Sequence, residues 1–272
     1  MKNNMSTDSN DKTAANNNYG LYGLYGLYMK DVSLTFSTRA GAVHVLDAVS
    51  LQVQQGEFVA LLGPSGSGKS TILKVAAGLL KPDGGQVFLA DKPVKGRAHK
   101  TGYMPQKDLL LPWKTLIQNC ALPLQAAKVP WPEARKRVTE LLPVFGLSGF
   151  GNAYPHQLSG GMRQRAALMR TILIGSNTLL LDEPFGALDA ITRAKMQQWL
   201  LEIWQQFQKS VLFVTHSVEE AVFLADRVYV ISDRPGHINL EKQIELPRPR
   251  EPAQTVSPRF TEYKQALMQA LH

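Results

Sequence analysis

One stretch of eight residues constrains this chain more than any other: Gly63-Pro64-Ser65-Gly66-Ser67-Gly68-Lys69-Ser70, with Thr71 behind it. It matches the pattern Gly-x-x-x-x-Gly-Lys-Ser/Thr, which by composition alone should arise in roughly 1% of chains this long. The flanks argue further against a plain glycine-rich turn. Glu57–Leu62 is mostly apolar and reads as a buried strand, and Ser70–Leu80 reads as a helix that stops at Pro82-Asp83-Gly84-Gly85. In that setting the glycines let backbone N–H groups turn inward around phosphate oxygens. The helix aims its positive end at the same anion. Lys69 would reach the β- and γ-phosphates of a nucleotide, and the Ser70 hydroxyl would ligate Mg²⁺.

The rest of the chain alternates strand and helix in keeping with that start. Val32–Phe36 and Val49–Val53 alternate in strand fashion, and Gln55-Gly56 supplies a turn. Gln86–Leu89, Thr178–Leu181, Val211–Thr215 and Arg227–Ile231 read as further strands. Helices are predicted over Glu133–Val144, Leu158–Ile174, Ala190–Gln208 and Val218–Ala225. Apolar strands separated by helices predict an α/β fold on a largely parallel sheet. The tail after Ser232, with five prolines from Pro235 to Pro258, is expected to run mostly extended until a helix near Phe260–Leu271.

Composition narrows the classes. A chain of 272 residues with 44% apolar and 19% charged content can bury a sizeable core as one large domain or two small ones. No apolar run approaches the ~18–20 residues of a membrane span, so the chain is not expected to cross one. Cys120 is the only cysteine, which excludes an intramolecular disulfide and a multi-cysteine zinc site; a buried apolar role in a reducing compartment is expected. Thirty basic against twenty-two acidic residues give +8. That excess suits nucleotides, nucleic acid or anionic lipid, or is simply a basic surface.

The head of the chain has little to bury. Residues 1–18 are rich in Asn, Ser, Asp and Lys, so disorder is expected, and they lack the apolar core of a signal peptide. Tyr19–Tyr28 repeats Tyr-Gly-Leu with a period of three, which matches neither a helix face nor a strand face. An unstructured expansion, dispensable for stability, is the expectation over an aromatic docking segment, with the folded part starting at Met29.

Two more groups carry chemistry. Asp182 and Glu183 end the apolar strand Thr178–Leu181. Beside a phosphate loop the first suits Mg²⁺ and the second suits polarising an attacking water, although alone the pair could be a solvated cap. Leu158-Ser159-Gly160-Gly161-Met162-Arg163-Gln164-Arg165 combines a serine, two glycines and a helix start, which makes a second anion site. One chain rarely needs two phosphate clamps for one nucleotide, so this clamp would serve a nucleotide held by another copy. His216 at the end of Val211–Thr215 is placed either to touch a γ-phosphate or to serve packing.

With these pieces in order, residues 29–272 resemble the nucleotide-binding subunits of ABC transporters. The resemblance implies a P-loop NTPase fold: a RecA-like core, an antiparallel β subdomain, and a helical signature subdomain near residues 107–165, followed by a C-terminal extension from about 233. It implies that Phe36 stacks on adenine and that Gly63–Thr71 is the Walker A loop. Gln106 would be the glutamine that senses Mg²⁺ and the membrane partner, and Leu158–Arg165 the signature motif. Asp182 and Glu183 would be the Walker B metal ligand and catalytic base. Asp189, in Ala187-Leu188-Asp189, would belong to the D-loop, and His216 would be the switch histidine. The cofactors implied are ATP and Mg²⁺. Four departures stand out: Met162 where many members have Gln, Ser217 where Asp is commoner, Thr178 in an apolar slot, and extra residues Ser37–Val43 after Phe36.

Three stretches narrow the branch: Leu110-Leu111-Pro112-Trp113, Asp182–Ala190 and Ser232–Ile238. Together they look like the ATPases of nitrate, sulfonate and taurine importers. Such ATPases form a dimer at the cytoplasmic face of the cell membrane, on two permease subunits fed by a solute-binding protein. An export or envelope-remodelling ATPase is the nearest alternative. A nucleic-acid ABC ATPase would insert a long coiled coil between the glutamine and the signature. Only 52 residues lie between Gln106 and Ser159, so no nucleic-acid partner is expected.

Overall fold

Four strands are buried along their whole length, and this dictates the layered arrangement: β3 (Phe58–Leu62), β7 (Thr178–Asp182), β8 (Ser210–Thr215) and β9 (Arg227–Ile231). A parallel strand that is apolar on both sides needs cover on both faces. Alternate residues of β3 accordingly serve two different cores. Phe58, Ala60 and Leu62 join the cluster under the helices, whereas Val59 and Leu61 join the cluster under the antiparallel sheet. The same split divides Val211 and Phe213 from Leu212 and Val214 on β8.

The computed structural model describes residues 25–39, 41–90, 92–94 and 101–271. The expectations for residues 1–18 and for Tyr19–Leu24 lie outside the described residues. In chain order the other elements are β1 (Tyr25–Thr38), β2 (Gly41–Gln54), α1 (Lys69–Ala76), β4 (Gly84–Leu89), β5 (Lys92–Pro93), β6 (Gly102–Met104), α2 (Leu116–Cys120), α3 (Leu122–Ala126) and α4 (Trp131–Leu141). After them come α5 (Gly160–Ile172), α6 (Ala190–Phe207), α7 (Val218–Leu224), β10 (Ile238–Gln243) and α8 (Pro258–Ala270).

The large sheet runs β10-β9-β3-β8-β7-β6, parallel except for β10, and the small antiparallel sheet runs β2-β1-β4-β5. Helix α1 packs between them through Ile72, Leu73, Val75 and Ala76. Helices α2–α5 lie between β6 and β7 in sequence and share a core that includes Cys120, Phe145 and Leu168. This is the P-loop NTPase architecture with an antiparallel β layer and a helical part. The tail holds a regular edge strand, β10, where the sequence suggested only extended chain, and α8 lies near its expected place.

The folded part does not start at Met29. Strand β1 begins at Tyr25, and Leu27 is as fully buried as Met29. A shift in register between Tyr25 and Leu27 absorbs the three-residue period. Leu27 and Met29 then face the core, while the rings of Tyr25 and Tyr28 stack with centroids 5.6 Å apart. Gly26 seats this end of the strand: a Cβ there would lie 2.4 Å from Ser210 Oγ. The Thr178 hydroxyl, the polar group in an otherwise apolar slot, donates to Gly26 O at 2.9 Å. Within the stretch expected to add a turn, Ser37 and Thr38 continue β1 and pair with Ala42 and Gly41 of β2, next to the pair Phe36↔Val43.

Candidate functional site

The loop between β3 and α1 is shaped by what its glycines avoid. A Cβ at Gly63 would meet Ile231 Cγ2 at 2.4 Å, and Gly68 has φ +99 with Leu46 Cδ2 only 2.8 Å from a Cβ. Any other residue at Gly68 would be strained by both backbone and neighbour. Gly68 caps the start of α1, so the helix opens directly under the loop. Lys69 is buried and donates to Gly63 O at 2.9 Å and Pro64 O at 2.6 Å, drawing the loop into a ring. Burial holds its amine below the usual lysine range, opposed by the carboxylates of Glu183 and Asp182. Ser67 is buried in the loop, and Pro64 precedes the open side formed by Ser65 and Gly66.

Strand β7 delivers the acids next to this ring. Ser70 Oγ donates to Asp182 Oδ1 at 3.0 Å, and Tyr103 on β6 donates to Asp182 Oδ2 at 3.5 Å. Burial raises the Asp182 carboxyl above its ordinary value; the Ser70 hydrogen bond opposes this, and the Glu183 charge adds to it. The same causes, burial first and then Asp182, push the Tyr103 hydroxyl up to about 12. A buried carboxylate bonded by the Ser70 hydroxyl, with Gln106 lining the same cleft, supplies hard oxygen donors that fit Mg²⁺. Among the described residues no group of three or more His, Cys, Asp or Glu side chains holds a metal by itself.

Glu183 sits one residue beyond the strand with φ +43, a left-handed backbone held by its N–H bond to Val214 O at 3.0 Å. The turn brings its carboxylate to two partners. Gln106 Nε2 donates to Glu183 Oε2 at 3.3 Å, and His216 Nδ1 lies 3.2 Å from the same oxygen. His216 is positioned by its neighbours: Thr215 Oγ1 accepts from Ser217 N at 3.0 Å, and Ser217 Oγ caps α7 by accepting from Glu220 N at 3.3 Å. Serine thus performs at position 217 the capping that an aspartate would.

Phe36, Thr38, Val43 and Val45 form one wall of an open cleft of about 550 Å³; Ser65, Gly66, Gly68, Lys69, Ser70 and Thr71 form its floor. Gln106 and Glu183 close one end, and Arg234 stands at the edge. The structure therefore brings together Phe36, the phosphate loop, Gln106, Asp182, Glu183 and His216. It does not bring Ser159, Gly160, Gly161 or Asp189 to that cleft. Ser159 caps α5, accepting from Met162 N at 3.2 Å, and Asp189 caps α6, accepting from Thr192 N at 3.0 Å. Sequence reasoning missed Tyr103 and Arg234, since each meets the site only through the tertiary fold.

A parallel sheet with a glycine-rich loop after β3, and with Asp182 ending β7 and Glu183 just beyond it, defines the class: a nucleoside triphosphatase of the P-loop type. The model of the family described as ABC transporter matches residues 46–186. Taurine import ATP-binding protein TauB of Rhizobium johnstonii is 43% identical over 248 residues, 88% of this chain and 94% of that protein. Nitrate import ATP-binding protein NrtD of Synechocystis is 43% identical over 221 residues, 81% and 83% of the two chains. Among solved structures, the dimeric post-hydrolysis state of the ATP-binding cassette MJ0796, bound to ADP and Pi, superposes with a TM-score of 0.70. It is 31% identical and covers 81% of this chain and 99% of that one. The chain belongs to the ABC transporter family and is an ATP-binding subunit, an ATP hydrolase that uses Mg²⁺.

Proposed function

We propose that two copies of this chain pair head to tail at the cytoplasmic face of the cell membrane and power import of a small solute of the nitrate, sulfonate or taurine class. Two permease subunits would carry the solute, delivered by a solute-binding protein. The relatives named above support the solute class. Helices and loops over residues 107–165 would act as one helical unit, and the apolar side chains Leu109 and Trp113, both well exposed, suit a permease helix.

One observation carries the paired reading. The segment Ser159–Gly161 presents a capped helix start whose amides face no nucleotide cleft of their own chain. A Cβ at Gly160 or Gly161 would meet nothing closer than 3.4 Å, so packing within the described chain does not demand glycine there. Close approach by a phosphate from outside does. The cleft, for its part, is open on the side away from the floor.

We assign the roles on the family resemblance, and the placement of the residues supports them. Phe36 stacks on the base, and the N–H groups of residues 63–71 with Lys69 hold the β- and γ-phosphates. Ser70, Gln106 and Asp182 would hold Mg²⁺, which when bound neutralises phosphate charge. Glu183 accepts a proton from, and orients, the attacking water, its carboxylate held in place by the bond from Gln106 Nε2 and by His216 Nδ1 at 3.2 Å. His216 reaches the γ-phosphate from the end of β8, and Asp189 lies at the seam between copies. The rest is positioning and electrostatics.

The test uses two variants. Glu183→Gln keeps the side-chain volume and removes the proton acceptor, so Mg-ATP should accumulate a dimer on size-exclusion chromatography. Adding Ser159→Arg places a bulky cation in the partner's clamp and should abolish that dimer while each chain still binds ATP. A double variant that dimerises as well as Glu183→Gln alone refutes the shared site. For the solute, ATPase stimulation by liganded solute-binding protein in reconstituted vesicles should rise with taurine, an alkanesulfonate or nitrate and not with unrelated solutes.

A further inference from the structure

The segment Ser232–Ile238 lies outside the phosphate-binding pattern, yet it presses against it. Arg234 donates to Gly66 O from Nε at 3.2 Å and from Nη2 at 3.0 Å. Two residues on, Gly236 is bonded to β2 through both backbone groups, its N–H to Val45 O at 2.9 Å and its carbonyl to Asp47 N at 3.0 Å. A Cβ at Gly236 would lie 2.3 Å from Ser67 O, so the loop touches the phosphate loop backbone to backbone. Arg234 is therefore delivered on a fixed base. Among the described residues no carboxylate forms an ion pair with it, and its charge faces the cleft.

We infer that Arg234 is a positioning residue for the nucleotide phosphates, holding the Gly66–Ser67 peptide in the orientation that binds them. In a planar trans peptide the carbonyl and the amide point to opposite sides. A Gly66 carbonyl held outward by the guanidinium turns Ser67 N–H to the inside of the loop. There it makes only a long bond, 3.4 Å, to Pro64 O, and is ready to exchange it for a phosphate oxygen. Gly66 has φ +85, and a glycine in that region rotates its peptide at little cost. The two bonds from Arg234 remove that freedom, and a cation on the carbonyl makes the amide across the plane a stronger donor.

The topology says which kinetic constant this affects. Arg234 follows β9, on one side of β3, whereas Glu183 and His216 follow β7 and β8, on the other. Arg234 thus acts on phosphate binding and not on the attacking water.

This inference rests on the nucleotide reading of the cleft, and the experiment separates the two. Mant-ATP and mant-ADP titrations and steady-state ATPase kinetics would be run on the full chain, on Arg234→Ala, Arg234→Lys and Lys69→Ala, with melting temperatures alongside. Arg234→Ala should raise Kd for both nucleotides and KM for ATP by roughly three- to tenfold, with kcat at saturation within about twofold of the parent. Arg234→Lys should recover part of the loss, since an ammonium still donates to Gly66 O but at one point only. Parent-like affinity in Arg234→Ala, with Lys69→Ala binding nothing, overturns the role of Arg234 alone. So does a fall in kcat at unchanged KM, or a loss that tracks a lowered melting temperature and is no smaller in Arg234→Lys. A parent chain that binds neither nucleotide overturns the nucleotide reading itself.

Discussion

Starting the chain at Met29 removes the Tyr-Gly-Leu repeat and measures how far it belongs to the fold. The structure lets the cost be added up. Leu27 is fully buried, and returning a leucine to water costs about 1.5–3 kcal/mol. The ladder pairs Leu27↔Val53, Tyr28↔Gln52, Leu27↔Leu89 and Tyr28↔Phe88 are lost with it, for a net ~1–2 kcal/mol after water takes their place. Gly26 O accepts from Ala90 N at 3.0 Å and from the buried Thr178 hydroxyl at 2.9 Å. Stranding that hydroxyl adds about 1–3 kcal/mol. The sum is roughly 3.5–8 kcal/mol, a large part of the ~5–15 kcal/mol that holds a typical domain together. Urea unfolding followed by tryptophan fluorescence would show a clearly lowered midpoint for the truncated chain. Leu27→Ala in the full chain should lose less, about 2–4 kcal/mol, because the ladder and the Gly26–Thr178 bond survive. A truncated chain within ~1 kcal/mol of the full one would refute the reasoning.

Asn119→Ala should destabilise by about 2–4 kcal/mol in the same assay, because the fully buried amide accepts from Leu111 N at 2.7 Å and donates to the carbonyls of Leu111, Lys114 and Thr115. The Trp113 loop should become sensitive to protease in that variant. Burial pushes the Cys120 thiol up to about 12, so iodoacetamide at pH 8.5 should leave the native chain unlabelled and label it fully in denaturant. The unfolded thiol ionises near pH 9 and the native one only near 12, so this group lowers stability as pH rises through that window.

The phosphate loop and the acids of the candidate site were legible because they are written locally. The phosphate loop is nine consecutive residues, and the apolar runs ahead of Gly63 and Asp182 announce buried strands on their own. The start of β1 was not legible, since a period of three looks like neither structure until a bulge between Tyr25 and Leu27 is allowed. Strand β6 is three residues long and exists because β7 offers it an edge. Arg234 reaches Gly66 across 168 positions, and no local pattern encodes such a contact. Asn119 did leave a signal: a polar amide among Ile117, Cys120 and Ala121, all buried, has to be bonded, and its partners lie within eight residues.

The segment from Gln106 to Trp113 shows why the proposed docking surface and the chemistry would respond to each other. Gln106 bonds Glu183, the group proposed to orient the attacking water. Two residues later Asp108 pairs with Arg163 at 3.3 Å, and the same Arg163 donates to Leu158 O at 2.7 Å, at the start of the signature helix. Arg170, two turns further along α5, donates to the carbonyls of Asp108 and Leu109. The exposed Leu109 and Trp113 therefore project from a strip of chain fastened at one end to Glu183 and along its middle to α5. A partner helix that pulls on Trp113 cannot shift this strip without stretching the Gln106–Glu183 bond or carrying α5 with it. Carrying α5 would move Ser159–Gly161 relative to the cleft of the proposed second copy. Closure of the proposed pair and alignment of the attacking water would thus be linked through side chains of one chain.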